Sequence, residues 1–428
     1  MKSSHIASII VGLTVVTASI VVLNNENELH KDISEENKVS GNGDDLKPVG
    51  NLSFEEAVNF FGFNLFKKLN DFYEGNIFFS TYSVFTALAM TYEGAKGETE
   101  EEMSNVLNVE QNNESLHNYM KNLYELLNKE NNDYNISTAN ALWVRENLQL
   151  LEDYKKIIQD YYGGDSTEVD FSNPTEAAGI INQWIEDNTN GLIKDLISAS
   201  NIPPLTALVI TNAIYFKGIW KVQFDPVNTT DRDFEIYNGN NVQVPTMKLI
   251  DTEDEFNYTE NDDLQILELP YTGDDLSMII LLPKNNDLSS IIDSIDDDKL
   301  SGWKNSMVET SLDIYLPRFK VETPVLSLNE ILIELGMPIA FTGAADFSGI
   351  TTKADLFISK VLHKAFINVT EEGTEAAAAT AVIMLESAPN GGEPPRIVFN
   401  CDHPFLYLIQ HKETGTILFM GCITDPSD

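Results

Sequence analysis

The sequence predicts an α+β fold, with helices crowding the first half and strands the second. Three observations predict it. Apolar residues recur at helical spacing up to about residue 189, and period-two, β-branched runs dominate from 205 onward. Strand and helix do not alternate in the way that builds a parallel sheet. A chain of 428 residues at 43% hydrophobic content also has enough apolar mass for a large core.

The chain opens with Met1-Lys2-Ser3-Ser4-His5 and an uncharged apolar run from Ile6 to Leu23. A basic start before such a run reads as a secretory signal, with Val16-Thr17-Ala18 offering small residues for cleavage. The run is also as long as a short membrane span, so residues 1–23 are a signal peptide or an anchor tethering the protein through residues 6–23. Either way the protein is expected outside the cell. Residues 24–50 are polar, acidic and poor in large apolar groups, which predicts a disordered linker. The globular part is expected over 51–428.

Ser53, followed by Glu55, Glu56 and the apolar Ala57, Phe60, Phe61 and Leu65, marks a helix start. Helical patterns follow over 81–107, 114–129, 152–162, 174–189 and 326–335. Gly94-Ala95-Lys96-Gly97 reads as a helix-terminating turn. Strand patterns cover 205–216, 242–249, 264–269, 276–282, 311–321, 357–369, 396–410 and 416–422. Lys412-Glu413-Thr414-Gly415 turns a hairpin between the last two, whose register keeps Cys401 and Cys422 apart as buried free thiols.

Charge removes whole classes of partner. With 27 Lys plus Arg against 67 Asp plus Glu the net charge is −40, a field that repels phosphate backbones. Nucleic acid is excluded, heparin is not expected, and the acidity reads as solubility. No CxxC, HExxH, Walker loop or dinucleotide fingerprint occurs, so neither a metal nor a cofactor is expected. Asp293–Asp298 lacks the turn glycine and distal Glu of a calcium loop and reads as a solvated acidic loop. G-x-S-x-G elbows are missing, and His363 and His403 sit in apolar strands as structural residues, so an enzyme is poorly supported.

One segment stands apart. After Ile367-Asn368-Val369-Thr370 comes Glu371-Glu372-Gly373-Thr374-Glu375-Ala376-Ala377-Ala378-Ala379-Thr380-Ala381-Val382. Turn formers from Ser387 to Pro395 follow, and regular structure resumes at Arg396. A loop this long in a compact domain is usually functional or disordered. Thr374, Ala376, Ala378, Thr380 and Val382 share one face, and Glu375, Ala377, Ala379 and Ala381 the other. Such a stretch suits insertion into a crowded sheet, with Gly373 as hinge. An alanine-rich solvated helix suits the same composition equally well.

The wider pattern resembles the serpins, and their inhibitory type in particular. Glu371–Val382 is similar to the family's proximal hinge, and Phe399-Asn400-Cys401-Asp402-His403-Pro404-Phe405-Leu406-Tyr407 to its C-terminal signature. Asn76–Ser80 with Ser83, Thr211–Trp220, Ala345–Ile350 and Ile358–Lys364 are also family-like, in the family's order, from about residue 51 to 428. Thr81 departs from the pattern, standing where the family commonly has proline.

The resemblance implies three β-sheets, eight or nine helices and an exposed reactive-centre loop. It places Ser80, Ser83, Asn212 and His363 in a hydrogen-bonded "shutter" under the central sheet. Trp220, Arg318 and Glu371 go to the "breach" where insertion starts, with an ion pair between the last two. The hinge comprises Glu371, Glu372, Gly373, Thr374, Glu375, Ala376, Ala377, Ala378 and Ala379, and counting from Gly373 as in the family puts the reactive bond at Ser387–Ala388. A serine protease attacking Ser387 would form a covalent acyl complex, and the loop would then enter the sheet, an established property of the family rather than a deduction from these residues. Ser387 suits an elastase-like or subtilisin-like enzyme; a bond one residue earlier, at Glu386, suits a glutamate-preferring one, and one at Leu385 a chymotrypsin-like one. A monomer is expected. The alternative is a non-inhibitory serpin acting as carrier, storage or chaperone protein.

Overall fold

Ser53 begins the first helix through a reciprocal cap. Its hydroxyl accepts from the Glu56 amide at 3.3 Å, and the Glu56 carboxylate accepts from the Ser53 amide at 2.7 Å. The computed structural model describes residues 52–427 apart from 110–112, 130–132, 204, 238, 354 and 375–395.

In chain order the elements are α1 (Phe54–Phe72), β1 (Ile77–Phe79), α2 (Thr81–Tyr92), α3 (Gly97–Leu107), α4 (Asn113–Leu127), β2 (Tyr134–Arg145), α5 (Glu152–Tyr162), β3 (Asp165–Val169), α6 (Pro174–Asn188) and β4 (Leu208–Ile219). Next come β5 (Thr230–Glu235), β6 (Asn241–Leu249), β7 (Phe256–Glu260), β8 (Leu264–Pro270), β9 (Leu276–Pro283), α7 (Leu288–Ser294) and α8 (Asp297–Ser306). The chain continues through β10 (Val308–Thr310), β11 (Leu312–Pro317), β12 (Phe319–Glu322), β13 (Leu326–Ser327), α9 (Asn329–Glu334), β14 (Ile358–Val369) and β15 (Gly373–Thr374). It ends with β16 (Ile397–Asn400), β17 (Phe405–His411) and β18 (Ile417–Ile423).

The described residues thus form nine α-helices and three sheets, an α+β architecture. The central sheet runs β12-β14-β15-β4-β2-β3, with β13 also on β14; a second sheet runs β1-β18-β17-β9-β8-β7-β10, and a small one β16-β11-β6-β5. β4, at the middle of the central sheet, is buried on both faces along most of its length. Leu208, Ile210, Ile214 and Phe216 of β4 join the main core, while Val209 and Ala213 pack in a second cluster with Ile181 and Ile185 of α6.

Several expectations need correcting. The helical pattern over 81–107 is two helices, broken where Gly94-Ala95-Lys96-Gly97 predicts a turn. Residues 396–410 are two strands in different sheets, since the chain leaves β16 at Cys401 and enters β17 only after Pro404. Residues 311–321 break at Arg318, and 326–335 holds a two-residue strand before a short helix. Asp293–Asp298 is no loop. Asp296 caps α8 by accepting from the Lys299 amide at 2.8 Å, and Asp297 and Asp298 occupy its first turn, where carboxylates favour the helix dipole. Cys401 and Cys422 are buried free thiols, with Cys422 opposite Leu406.

Candidate functional site

β14 ends in a tight turn. The Thr370 amide donates to the Gly373 carbonyl at 2.8 Å, and the Gly373 amide to the Thr370 carbonyl at 3.2 Å, leaving Glu371 and Glu372 at the tip. The tip is fastened from three sides. Arg318 Nε lies 2.8 Å from both Glu371 carboxylate oxygens and its Nη2 lies 2.5 Å from Oε1, while the Thr229 hydroxyl donates to the same carboxylate. Phe224 and Trp220 amides donate to the Glu371 and Glu372 carbonyls at 3.0 and 2.9 Å, and the Trp220 indole donates to the Thr370 carbonyl at 3.0 Å. The expected meeting of Trp220, Arg318 and Glu371 is therefore present. Burial pushes the Glu371 carboxyl upward, but hydrogen bonds from Arg318 and Thr229 and the guanidinium charge outweigh it and hold the group below its ordinary value.

Arg318→Ala leaves a buried carboxylate with Thr229 as its remaining side-chain partner. The variant is expected to lose about 1–3 kcal/mol, scaled from charge-assisted hydrogen bonds and tempered by the half-exposed guanidinium. The loss reads as a lower thermal midpoint at pH 7. It shrinks as pH falls through the Glu371 value, since protonation removes the charge Arg318 serves.

From the turn the chain runs antiparallel to both neighbours. Gly373 and Thr374 pair with Ile219 and Gly218 of β4, and Thr374 with Val369 of β14. Gly373 is required by close approach, because a Cβ there would lie 2.0 Å from the Gly218 carbonyl oxygen, at φ +152°. Thr374 is fully buried, and its hydroxyl shares a 2.7 Å hydrogen bond with that of Tyr271. Below this point β14 and β4 pair directly and in parallel, from Ile358 opposite Leu208 to Phe366 opposite Tyr215. The other end of the loop is anchored as well: Arg396 Nε lies 3.0 Å from Asp313 Oδ1, and its Nη2 donates to the Thr252 carbonyl at 2.9 Å. Glu375, Ala376, Ala377, Ala378, Ala379, Ser387 and Ala388 lie outside the described residues.

Midway down the β4–β14 seam lies a fully buried polar cluster. Ser80 N donates to His363 Nε2 at 3.2 Å, so the ring proton sits on Nδ1 and is donated to Asn212 Oδ1. Asn212 Nδ2 reaches Ser83 Oγ at 2.5 Å and Asn140 Oδ1 at 2.6 Å, and Ser83 Oγ donates to Asn140 at 2.8 Å. Ser80 Oγ donates to the Leu418 carbonyl at 2.7 Å and accepts from Ser83 N at 3.1 Å, closing the start of α2 onto β18. Ser80, Ser83, Asn212 and His363 are thus one network. Burial drives the His363 ring down to about 3, against the Asn212 hydrogen bond that pulls it up, so it is neutral at ordinary pH.

Sequence reasoning missed Asn140, Thr229 and Tyr271. Asn140 belongs to β2, whose small and polar residues hide its alternation; a lone amide between Ala139 and Ala141 is the one clue. Tyr271 follows β8 in a Pro-Tyr-Thr-Gly run with no local mark of its role.

The family model described as Serpin (serine protease inhibitor) matches residues 56–426. The chain belongs to the serpin family. An uncharacterised serpin-like protein of Thermococcus kodakarensis is 43% identical over 384 residues, covering 89% of this chain and 87% of that protein. The leukocyte elastase inhibitor of Xenopus laevis is 38% identical over 386 residues, covering 88% of this serpin and all of its relative (100%). Among solved structures, Serpin48 of the insect Tenebrio molitor superposes with a TM-score of 0.77 at 35% identity, covering 87% of this serpin and 98% of that chain. Serpins are in general protease inhibitors, and some of this serpin's relatives are inhibitors by name.

Proposed function

We propose that this serpin is an irreversible suicide inhibitor of serine proteases, elastase-like or subtilisin-like, cut at Ser387–Ala388 and trapping its target by inserting the loop between β4 and β14. The observation that carries the reading is the position of Gly373 and Thr374, already paired with both strands. Continuing that register, Ala376, Ala378, Thr380 and Val382 come opposite Phe216, Ile214, Asn212 and Ile210 of β4 in the inserted state, with nothing large or charged on the inward face. Each parallel β4–β14 pair is exchanged for two antiparallel ones, the stronger ladder per residue. About a dozen inserted residues at ~3.3 Å each span roughly 40 Å, enough to carry an acylated protease across the molecule. Their ladder hydrogen bonds, ~0.5–1.5 kcal/mol each, supply on the order of 10 kcal/mol, so the uncut state is held by kinetics.

Support for the target class comes from the small Ser387 and Ala388, from the absence of Lys and Arg between Glu375 and Glu393, and from a relative named leukocyte elastase inhibitor. Residues 1–23 direct export in this reading, as a cleaved signal or a retained tether. Incubation with elastase or subtilisin is expected to give an SDS-stable complex, with mass spectrometry finding the break after Ser387 and a mature start after Ala18. Clean cleavage without a complex would favour a carrier, storage or chaperone role.

A further inference from the structure

We infer that Tyr271 is a positioning residue that seats the loop's hinge in the inserted register before any protease arrives, and so governs how promptly insertion follows cleavage. The inference rests on the inhibitory reading above and adds a residue and a step to it.

Tyr271 lies outside the loop, between β8 and β9, yet it is built into the hinge's floor. Its ring is fully buried, stacks on Trp220 at 4.5 Å and meets Phe216 edge-on at 5.1 Å. Its amide donates to the Leu276 carbonyl at 3.0 Å, and the next amide, of Thr272, donates to the Ile219 carbonyl at 2.7 Å, locking the turn onto the end of β4. Gly218 keeps the space between them open, since a Cβ there would come within 2.7 Å of Phe216 and 2.8 Å of Tyr271. The hydroxyl is thus fixed where Thr374 comes to rest, 2.7 Å from its own hydroxyl. Burial drives the phenol well above its ordinary value, so it stays protonated and remains a donor.

A buried threonine hydroxyl without a partner is costly, whereas the same hydroxyl paired is mildly favourable, so Tyr271 decides whether Thr374 prefers the sheet to water. Seating matters because the first residues of an inserted strand carry the turn-closing cost before later pairs repay it. With the turn closed and two residues paired, that cost is already met when the acyl-enzyme forms. Insertion then proceeds by extension, in competition with hydrolysis of the acyl bond.

Three full-length variants test this: Tyr271→Phe, which keeps the ring, Thr374→Val, which keeps the shape, and their combination. Amide hydrogen exchange at Gly373 and Thr374 is expected to quicken about 2- to 12-fold in each single variant, the equivalent of one net hydrogen bond. The double variant should exchange no faster than the singles, because it removes the same single interaction and leaves no buried hydroxyl without a partner. With elastase or subtilisin, the rate of loop cleavage should hold while the ratio of cleaved serpin to SDS-stable complex rises. Wild-type exchange in both single variants, an additive double variant, or an unchanged ratio despite faster exchange would overturn the inference. If wild type itself forms no complex, the inhibitory reading falls, and the exchange measurements still decide whether Tyr271 seats the hinge.

Discussion

Replacing Thr374 with Arg is expected to turn the serpin from inhibitor into substrate: elastase or subtilisin still cuts the loop, but the SDS-stable band disappears and cleaved serpin accumulates with active protease. Thr374 is fully buried between β14 and β4, beneath the Trp220–Tyr271 stack. A guanidinium there meets aromatic faces and backbone already in use. Desolvating an unpaired charge costs several kcal/mol, so the residue stays in water. Everything downstream in the loop must follow Thr374 into the sheet, so insertion stops before it begins while the distant bond stays exposed to attack. An SDS-stable complex formed by Thr374→Arg at the wild-type ratio would remove insertion from the account of this protein.

Acid is expected to loosen the molecule through His363. The ring is neutral in the fold, titrating at about 3, whereas an unfolded histidine titrates near 6.5. The unfolded chain therefore takes up the proton first. Stability from this residue is complete above about pH 6.5 and falls by roughly 1.4 kcal/mol per pH unit below it, until the folded ring also titrates near pH 3. Burial is the chief cause, and a donor conflict adds to it. A proton added to Nε2 would point at the Ser80 amide, which is itself a donor, 3.2 Å away. The urea midpoint at fixed incubation should drop between pH 7 and 5 in wild type and drop less in His363→Gln. Parallel profiles for the two would show that His363 is not the group responsible.

Gly373 was legible because its backbone leaves little choice, whereas the small-residue run after it suited a helix equally well and was read as a hinge from the family resemblance. Gly373 faces the Gly218 carbonyl, which no Cβ can approach. Such constraints leave marks in the letters. The cap at Ser53 and the turn at Gly94–Gly97 were legible for the same reason, being local. Tyr271 left no mark, since its partner is over a hundred residues away and any buried tyrosine looks alike in sequence. The run over 396–410 misled because apolar residues fill both of its strands, and periodicity does not register a change of sheet at Cys401–Pro404. Asp293–Asp298 misled because carboxylates capping a helix and carboxylates in water have the same composition.

The direct seam between β4 and β14 has a mechanical consequence. Because those strands are paired with each other, the seam itself offers no vacant edge, and under the proposed insertion an entering strand advances from the turn at Glu371–Glu372 downward, one residue at a time. Each seam pair opened is replaced at once, so the work is delivered evenly along the stroke. Roughly 10 kcal/mol spread over about 40 Å corresponds to a steady pull on the order of 15 pN. Under the inhibitory mechanism proposed above, a protease joined to the far end by its acyl bond would be drawn against that load, its active site being the part attached to the rope.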